Sequence, residues 1–119
     1  MRIFIVDDSM AMRMLVKRAL REAGYGDHTI EEAANGKDAL EAITKSPPDL
    51  VLSDWHMPGL TGMELLAALR QANVNVPFGF VTTEGTAEMR QKVKDAGAQF
   101  LIAKPFTADA FKQAIQEAA

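Results

Sequence analysis

The sequence predicts a doubly wound α/β fold, in which five helices cover both faces of a five-stranded parallel sheet. Short apolar runs of strand length recur five times along the 119 residues, and a segment with helical periodicity follows each one. The runs are nearly continuous rather than alternating, as strands buried on both faces of a parallel sheet require. We therefore expect residues 1–119 to form one domain, with predicted strands at 3–6, 28–33, 50–52, 78–81 and 100–103.

The composition excludes several classes of protein. Thirteen Lys and Arg against 16 Asp and Glu give a net charge of −3, so no general attraction to nucleic acid or to an anionic membrane is expected. The absence of cysteine excludes disulfides and Cys-ligated zinc, and no apolar run approaches the ~20 residues of a membrane span. A cytoplasmic protein is the expectation.

Turn and capping residues mark where the helices begin. Asn35 is a plausible N-cap of the second helix, and Thr107 of the last. Thr61 and Glu64 have the spacing of a capping box at the start of the third. In the first helix, the charged residues at 13, 17, 18 and 22 are predicted to face away from the core. The apolar stripe predicted to face the core consists of Met12, Leu15, Val16, Ala19, Leu20 and Ala23.

Polar and charged residues follow four of the five predicted strands. Asp7 and Asp8 follow the first, Asp54 the third, Thr82 the fourth and Lys104 the fifth. Ligands of doubly wound sheets bind outside the carboxyl ends of the strands. These side chains are therefore predicted to meet in one crevice, although a strand-end acid such as Asp54, taken alone, more often caps a turn or a helix.

Three carboxylates in one crevice require a cation. Two unit charges ~4 Å apart repel by about 4 kcal/mol at an effective dielectric of 20. Lys104 supplies one positive charge, and an all-oxygen donor set favours Mg²⁺, which accepts phosphate oxygens as further ligands. Asp54 is then placed to act as a nucleophile that forms an aspartyl phosphate, with Thr82 and Lys104 contacting the phosphoryl group.

Together these motifs resemble the signature of the receiver domain of two-component response regulators. Within that family, the likeness is greatest to the single-domain, CheY-like chemotaxis regulators, and it implies the strand order 2-1-3-4-5. The resemblance extends over the whole chain. The motifs that carry it are Asp7-Asp8, Asp54 followed by Met57-Pro58-Gly59, Thr82, and Lys104-Pro105-Phe106.

The resemblance implies a phosphorylation switch rather than a turnover enzyme. A sensor histidine kinase would phosphorylate Asp54, and the change would alter a surface of the fourth helix, fifth strand and fifth helix that binds a target protein. In a chemotaxis role the target would be a flagellar motor switch protein. A phosphatase is a further possible partner, and the chain is expected to be a monomer.

The resemblance also assigns the metal ligands. Mg²⁺ would be held by Asp8, Asp54 and the backbone carbonyl of His56, with Asp7 assisting through water. The imidazole of His56 is expected to line the mouth of the site rather than to bind metal. The peptide bond before Pro105 is expected to be cis.

Two positions depart from the family pattern. Leu101 stands where an aromatic residue usually turns inward on phosphorylation, and Phe100 cannot replace it because neighbouring strand residues point to opposite faces. Thr83 stands where a small residue is usual, and its bulk is expected to narrow access to the phosphoryl group.

Three other functions fit parts of the pattern. A haloacid-dehalogenase-type phosphatase would carry its nucleophile after the first strand in a D-x-D arrangement, whereas this chain has D-D-S there. A flavodoxin-like cofactor binder would need a hydroxyl- and glycine-rich phosphate loop at that point, where two acids would repel a phosphate. A phosphate sink, or a receiver domain cut from a larger regulator or hybrid kinase, remains open.

Overall fold

The computed structural model describes residues 1–118 and contains one five-stranded parallel sheet. Its order is β2-β1-β3-β4-β5, which confirms the predicted fold class and the order that the family resemblance implied. Because β1 and β3 are neighbours at the centre, their carboxyl ends lie side by side. The strands are β1 Arg2–Val6, β2 Thr29–Ala33, β3 Leu50–Ser53, β4 Phe78–Thr82 and β5 Phe100–Ala103.

Five α-helices connect and cover these strands, and a π-helical turn, Arg21–Tyr25, extends the first of them. Within residues 1–118, every helix is too short or too polar to cross a membrane. The helices are α1 Met10–Leu20, α2 Gly36–Lys45, α3 Gly62–Gln71, α4 Ala87–Asp95 and α5 Ala108–Ala118.

The helices begin where the predicted capping residues stand. The Asn35 side chain accepts a hydrogen bond from the backbone N–H of Asp38 at 2.8 Å. Thr61 and Glu64 form both hydrogen bonds of the capping box at the start of α3. At α5, the Thr107 hydroxyl accepts from the Ala110 N–H at 3.2 Å.

Each face of the sheet has its own hydrophobic core. Alternate residues of β1 point to opposite faces, so that Ile3 and Ile5 join one core while Phe4 joins the other. The same alternation separates Phe100, which lies against the α1 and α5 core, from Leu101, which is buried in the α2, α3 and α4 core. This placement confirms the expectation that the two residues face opposite ways.

The predicted orientation of α1 is wrong for Leu15, Arg13 and Lys17. Leu15 is 49% exposed, although it was assigned to the buried stripe. Arg13 and Lys17 were predicted to face away, but both contact Glu32 of β2, and the Arg13 side chain is only 13% exposed. Arg13 lies three and seven residues before buried Val16 and Leu20, which places it on their face of the helix. Arg13 and Lys17 thus lie toward the edge strand β2, where the Glu32 carboxylate compensates their charge.

Gly79 allows a close approach between β4 and β5. The two strands pair Gly79 with Phe100, and a Cβ atom built at Gly79 would lie 2.1 Å from the Phe100 ring. We predict that Gly79→Ala lowers the free energy of unfolding by about 2 kcal/mol, the usual cost of overpacking. Urea denaturation would measure this loss.

A double-mutant cycle that combines Gly79→Ala with Phe100→Ala tests whether the Phe100 ring causes this loss of stability. Once the ring is removed, alanine at 79 should cost far less than it costs in the wild-type background. Additive losses in the two variants would show that the ring is not the obstacle.

Candidate functional site

Three carboxylates converge beyond the ends of β1 and β3. One oxygen of each side chain lies within 4.8 Å of the others, in a group formed by Asp7, Asp8 and Asp54. Asp7 is buried, Asp54 is half-buried and Asp8 is exposed to solvent. The crevice predicted from the strand ends is thus present, with one wall open to an incoming group.

Lys104 brings a positive charge into this group of acids. Its Nζ lies 3.3 Å from Asp7 Oδ2 and 3.6 Å from Asp54 Oδ2, and its side chain is 11% exposed. The backbone N–H of Lys104 donates to the Thr82 carbonyl at 2.7 Å. The Lys104-Pro105 peptide bond is cis, as the family resemblance implied.

Backbone hydrogen bonds hold Asp54 in place. Its N–H donates to the Val6 carbonyl at 2.9 Å, and its Oδ1 accepts from the Trp55 N–H at 2.8 Å. Gly62, the first residue of α3, lies so close that a Cβ atom there would be 2.2 Å from the Asp54 carbonyl oxygen. Any side chain at residue 62 would displace the Asp54 main chain, so this glycine belongs to the support of the site. No role in the site was predicted for Gly62 from the sequence.

Asp7 is held at both its main chain and its side chain. Its N–H donates to the Ala33 carbonyl at 3.2 Å, and its carbonyl accepts from Arg13 Nη1 at 2.7 Å. Its Oδ1 accepts from the Ser9 N–H at 2.9 Å. The Ser9 hydroxyl in turn caps α1 through the Met12 N–H. The turn that carries Asp7 and Asp8 is therefore fixed by β2 and α1 together.

The environment of Asp54 disfavours its charge. Burial raises the pKa of the Asp54 carboxyl above its usual value of 3.8, and the nearby Asp7 carboxylate raises this pKa further. The Lys104 ammonium and the backbone N–H groups of Trp55 and His56 lower the pKa, but they do not restore it. The carboxylate cluster thus has an excess of negative charge that a divalent cation would offset.

The donor set fits Mg²⁺. All three side chains offer hard carboxylate oxygens, and the group includes no sulfur or imidazole ligand. Lys104 supplies only one positive charge against three carboxylates, so the balance of charge also favours a divalent cation.

Two further predicted site residues are Thr82, at the end of β4, and His56, in the loop after β3. Thr82 ends β4 and is fully buried, and its hydroxyl accepts from the Glu84 N–H at 3.4 Å. The His56 imidazole lies in contact with Glu84, with Nε2 2.7 Å from Oε1. This contact joins the loop after β3 to the loop after β4. Thr83, between Thr82 and Glu84, is exposed.

Glu84 was not among the site residues predicted from the sequence, and Arg13 was predicted to face away from the core. The signal for Glu84 was available, because it follows Thr82 by two residues on a loop already assigned to the site. The contact between Arg13 and the Asp7 carbonyl had no such signal, because helical periodicity does not show which backbone carbonyl a long side chain reaches.

Comparisons with known proteins agree with this geometry. A sequence profile of the response regulator receiver domain matches residues 3–116. The chain belongs to this family. It is 36% identical to the sporulation initiation phosphotransferase F of Bacillus subtilis, over 98% of this chain and 91% of that protein. It is also 36% identical to the chemotaxis protein CheY-3 of Vibrio cholerae, over 98% of this chain and 90% of that protein.

A solved structure shows the same architecture. The chemotaxis response regulator CheY4 of Vibrio cholerae superposes with a TM-score of 0.84 at 32% identity, over 99% of this chain and 98% of that one. Receiver domains bind Mg²⁺ at an acidic pocket, and the three aspartates form such a pocket here.

The charge at Asp54 has a consequence for stability. Because the pKa of this carboxyl is raised in the folded state, its ionisation destabilises the fold as the pH rises through that pKa. We predict that Asp54→Asn is more stable than the wild type at pH 7 without divalent cation and has a higher melting temperature. The advantage should narrow as the pH falls toward 3.8, because the wild-type carboxyl then becomes protonated.

Thermal unfolding at several pH values measures this effect. Addition of Mg²⁺ should stabilise the wild type and not the Asn variant, since binding to the folded state raises its stability. If Asp54→Asn is less stable than the wild type at pH 7, the attraction of Lys104 for the ionised Asp54 carboxylate outweighs the cost of burying that charge.

Proposed function

We propose that this receiver domain is a phosphorylation switch in which Asp54 accepts a phosphoryl group from a sensor histidine kinase. The observation that carries the proposal is the placement of the Asp54 carboxylate, half-buried and within 4.8 Å of two other carboxylates, with the Lys104 ammonium at 3.6 Å. A hard cation and a lysine on either side of one carboxylate are the features that phosphoryl transfer to that carboxylate requires.

The reaction would exchange one bond to phosphorus for another. An Asp54 carboxylate oxygen attacks the phosphorus of the donor phosphohistidine, an O–P bond forms, and the N–P bond breaks. The departing imidazole keeps the electron pair and takes a proton from solvent. The Lys104 ammonium is placed to neutralise a phosphoryl oxygen. The Thr82 hydroxyl, which accepts from Glu84, can donate its own proton to another oxygen.

In this proposal Asp8, Asp54 and the backbone carbonyl of His56 hold Mg²⁺, with Asp7 contributing through water. The ion would offset the charge that accumulates on the acceptor and on the transferring group. Water could later hydrolyse the aspartyl phosphate at the same site, so the switch resets itself without acting as a turnover enzyme. The contact between His56 and Glu84 lies at the mouth through which that water would pass.

The signal would leave by protein contact at α4, β5 and α5. A groove of about 520 Å³ lies between these elements, and Arg90, Leu101 and Phe106 are among the residues that line it. Arg90 links the groove to the loop after β4, because its Nε donates to the Gly85 carbonyl at 3.2 Å and its Nη1 to the Leu101 carbonyl at 2.9 Å. This surface can therefore respond to a change near Thr82, which lies on the strand that precedes the same loop.

The names of the relatives support two roles for the switch. The chemotaxis proteins favour a target in the flagellar motor switch. The sporulation phosphotransferase is related at the same 36% identity, and it favours a second role in which the phosphoryl group passes on to another protein.

The acceptor assignment is tested by labelling with acetyl phosphate. We predict that the wild type incorporates one phosphoryl group in a Mg²⁺-dependent reaction and that Asp54→Asn incorporates none, measured by intact-protein mass spectrometry. Asp27→Asn is the matched control, since Asp27 is exposed and precedes β2, at the opposite edge of the sheet. Stoichiometric labelling of Asp54→Asn would overturn the assignment.

The role in chemotaxis is tested by direct binding. We predict that beryllofluoride, a phosphoryl mimic, tightens binding of the purified flagellar motor switch protein of the source organism at least tenfold, measured by calorimetry. The Asp54→Asn variant should show no such change. If the wild type binds the switch protein equally with and without beryllofluoride, the chemotaxis role fails while the acceptor assignment stands.

A further inference from the structure

Arg13 extends from α1 to the turn that carries the metal-binding acids. Its Nη1 donates to the Asp7 carbonyl at 2.7 Å, and its Nε donates to Glu32 Oε1 at 2.7 Å. With its side chain 13% exposed, the guanidinium is largely removed from water. An arginine held at two points in this way has little freedom to move, and the carbonyl that it holds is fixed with it.

Glu32 is a stable anchor for this arginine. Lys17, one turn further along α1, contacts the second carboxylate oxygen of Glu32. The hydrogen bonds from Lys17 and Arg13 lower the pKa of the Glu32 carboxyl, so it stays ionised near neutral pH. The edge strand β2 thus supplies a carboxylate that holds the Arg13 guanidinium in place and offsets part of its charge.

We propose that Arg13 is a positioning residue for the carboxylate cluster. By holding the Asp7 carbonyl, it fixes the turn that presents Asp7 and Asp8 and so raises the affinity of the cluster for a divalent cation. The inference rests on the proposed function, because it concerns the same three acids. It adds a residue that touches neither the metal ligands' carboxylates nor the phosphoryl acceptor.

The geometry predicts whether loss of Arg13 weakens or tightens the binding of a divalent cation. A positive charge near a cation site weakens cation binding by repulsion, so loss of Arg13 would tighten binding if charge alone acted. Loss of a group that holds a ligand in place weakens binding instead, typically by 10- to 100-fold for partners of metal ligands. The contacts of Arg13 with a carbonyl and a paired carboxylate favour the second outcome.

The test compares Arg13→Gln with Arg18→Gln in the full chain by Mg²⁺ titration calorimetry. Both variants remove one positive charge from α1, but Arg18 pairs only with Glu22, at 3.1 Å, and its side chain is 74% exposed. We predict that Arg13→Gln raises the Kd for Mg²⁺ roughly tenfold and that Arg18→Gln leaves it unchanged. Arg13→Lys, which keeps one donor for the Asp7 carbonyl, should lie between the wild type and Arg13→Gln.

Urea unfolding without Mg²⁺ separates positioning from general stability. If Arg13→Gln and Arg13→Lys lower stability but bind Mg²⁺ as the wild type does, the inference is overturned, and tighter binding would overturn it as well. A wild type that neither binds Mg²⁺ nor reacts with acetyl phosphate would instead overturn the proposed function. If the wild type binds Mg²⁺ and reacts with acetyl phosphate, and the Arg13 variants bind Mg²⁺ with the wild-type Kd, the proposed function stands and only the role of Arg13 is overturned.

Discussion

Repulsion among the acids beyond β1 and β3 is the constraint on which the rest of this structure depends. Unit charges at ~4 Å repel by about 4 kcal/mol at an effective dielectric of 20, and the three carboxylates have oxygens within 4.8 Å of one another. Lys104 offsets part of this repulsion. Burial is the main cause of the raised pKa of Asp54, and the attraction of Lys104 does not cancel it. A divalent cation would relieve the remaining repulsion, and in the proposed function this relief would couple metal binding to the phosphorylation of Asp54.

The scaffold keeps this unfavourable arrangement by fixing the main chain of the acids and by donating backbone hydrogen bonds to the carboxylates of Asp7 and Asp54. The backbone N–H groups of Asp7 and Asp54 are bonded to neighbouring strands, and Trp55 donates from its backbone to the Asp54 carboxylate. Gly62 brings the start of α3 against the Asp54 carbonyl, where any side chain would intrude. Arg13 adds the only one of these contacts that comes from a long side chain. These contacts hold the main chain of Asp7 and Asp54 in place while their carboxylates lie close together.

The fold and the composition of the site could be read from the sequence because both depend on local patterns. Five apolar runs gave the strands, and the rule that ligands lie beyond their carboxyl ends brought Asp7, Asp8, Asp54 and Lys104 together. The strand order came from family resemblance, since periodicity does not fix which strands are neighbours. The orientation of α1 failed for a related reason. Leu15 and Arg13 flank the buried stripe on opposite sides, and the contact of Arg13 with Glu32 on the edge strand is a tertiary interaction that helical periodicity does not show.

The least predictable part is the link from the acidic site to the proposed binding surface at α4, β5 and α5, and the residues present exclude one form of this link. Leu101 is buried among the side chains of the α2, α3 and α4 core, so no aromatic ring is present at that position to swing inward. Phe100 cannot substitute, because its ring lies on the opposite face, against Gly79. The contacts that do join the site to this surface end on backbone carbonyls, of Thr82 from the Lys104 N–H and of Gly85 and Leu101 from Arg90. In this chain the Arg90 side chain thus ties α4 to main-chain carbonyls of the loop after β4 and of β5, and a displacement of one of these elements is resisted by the other two.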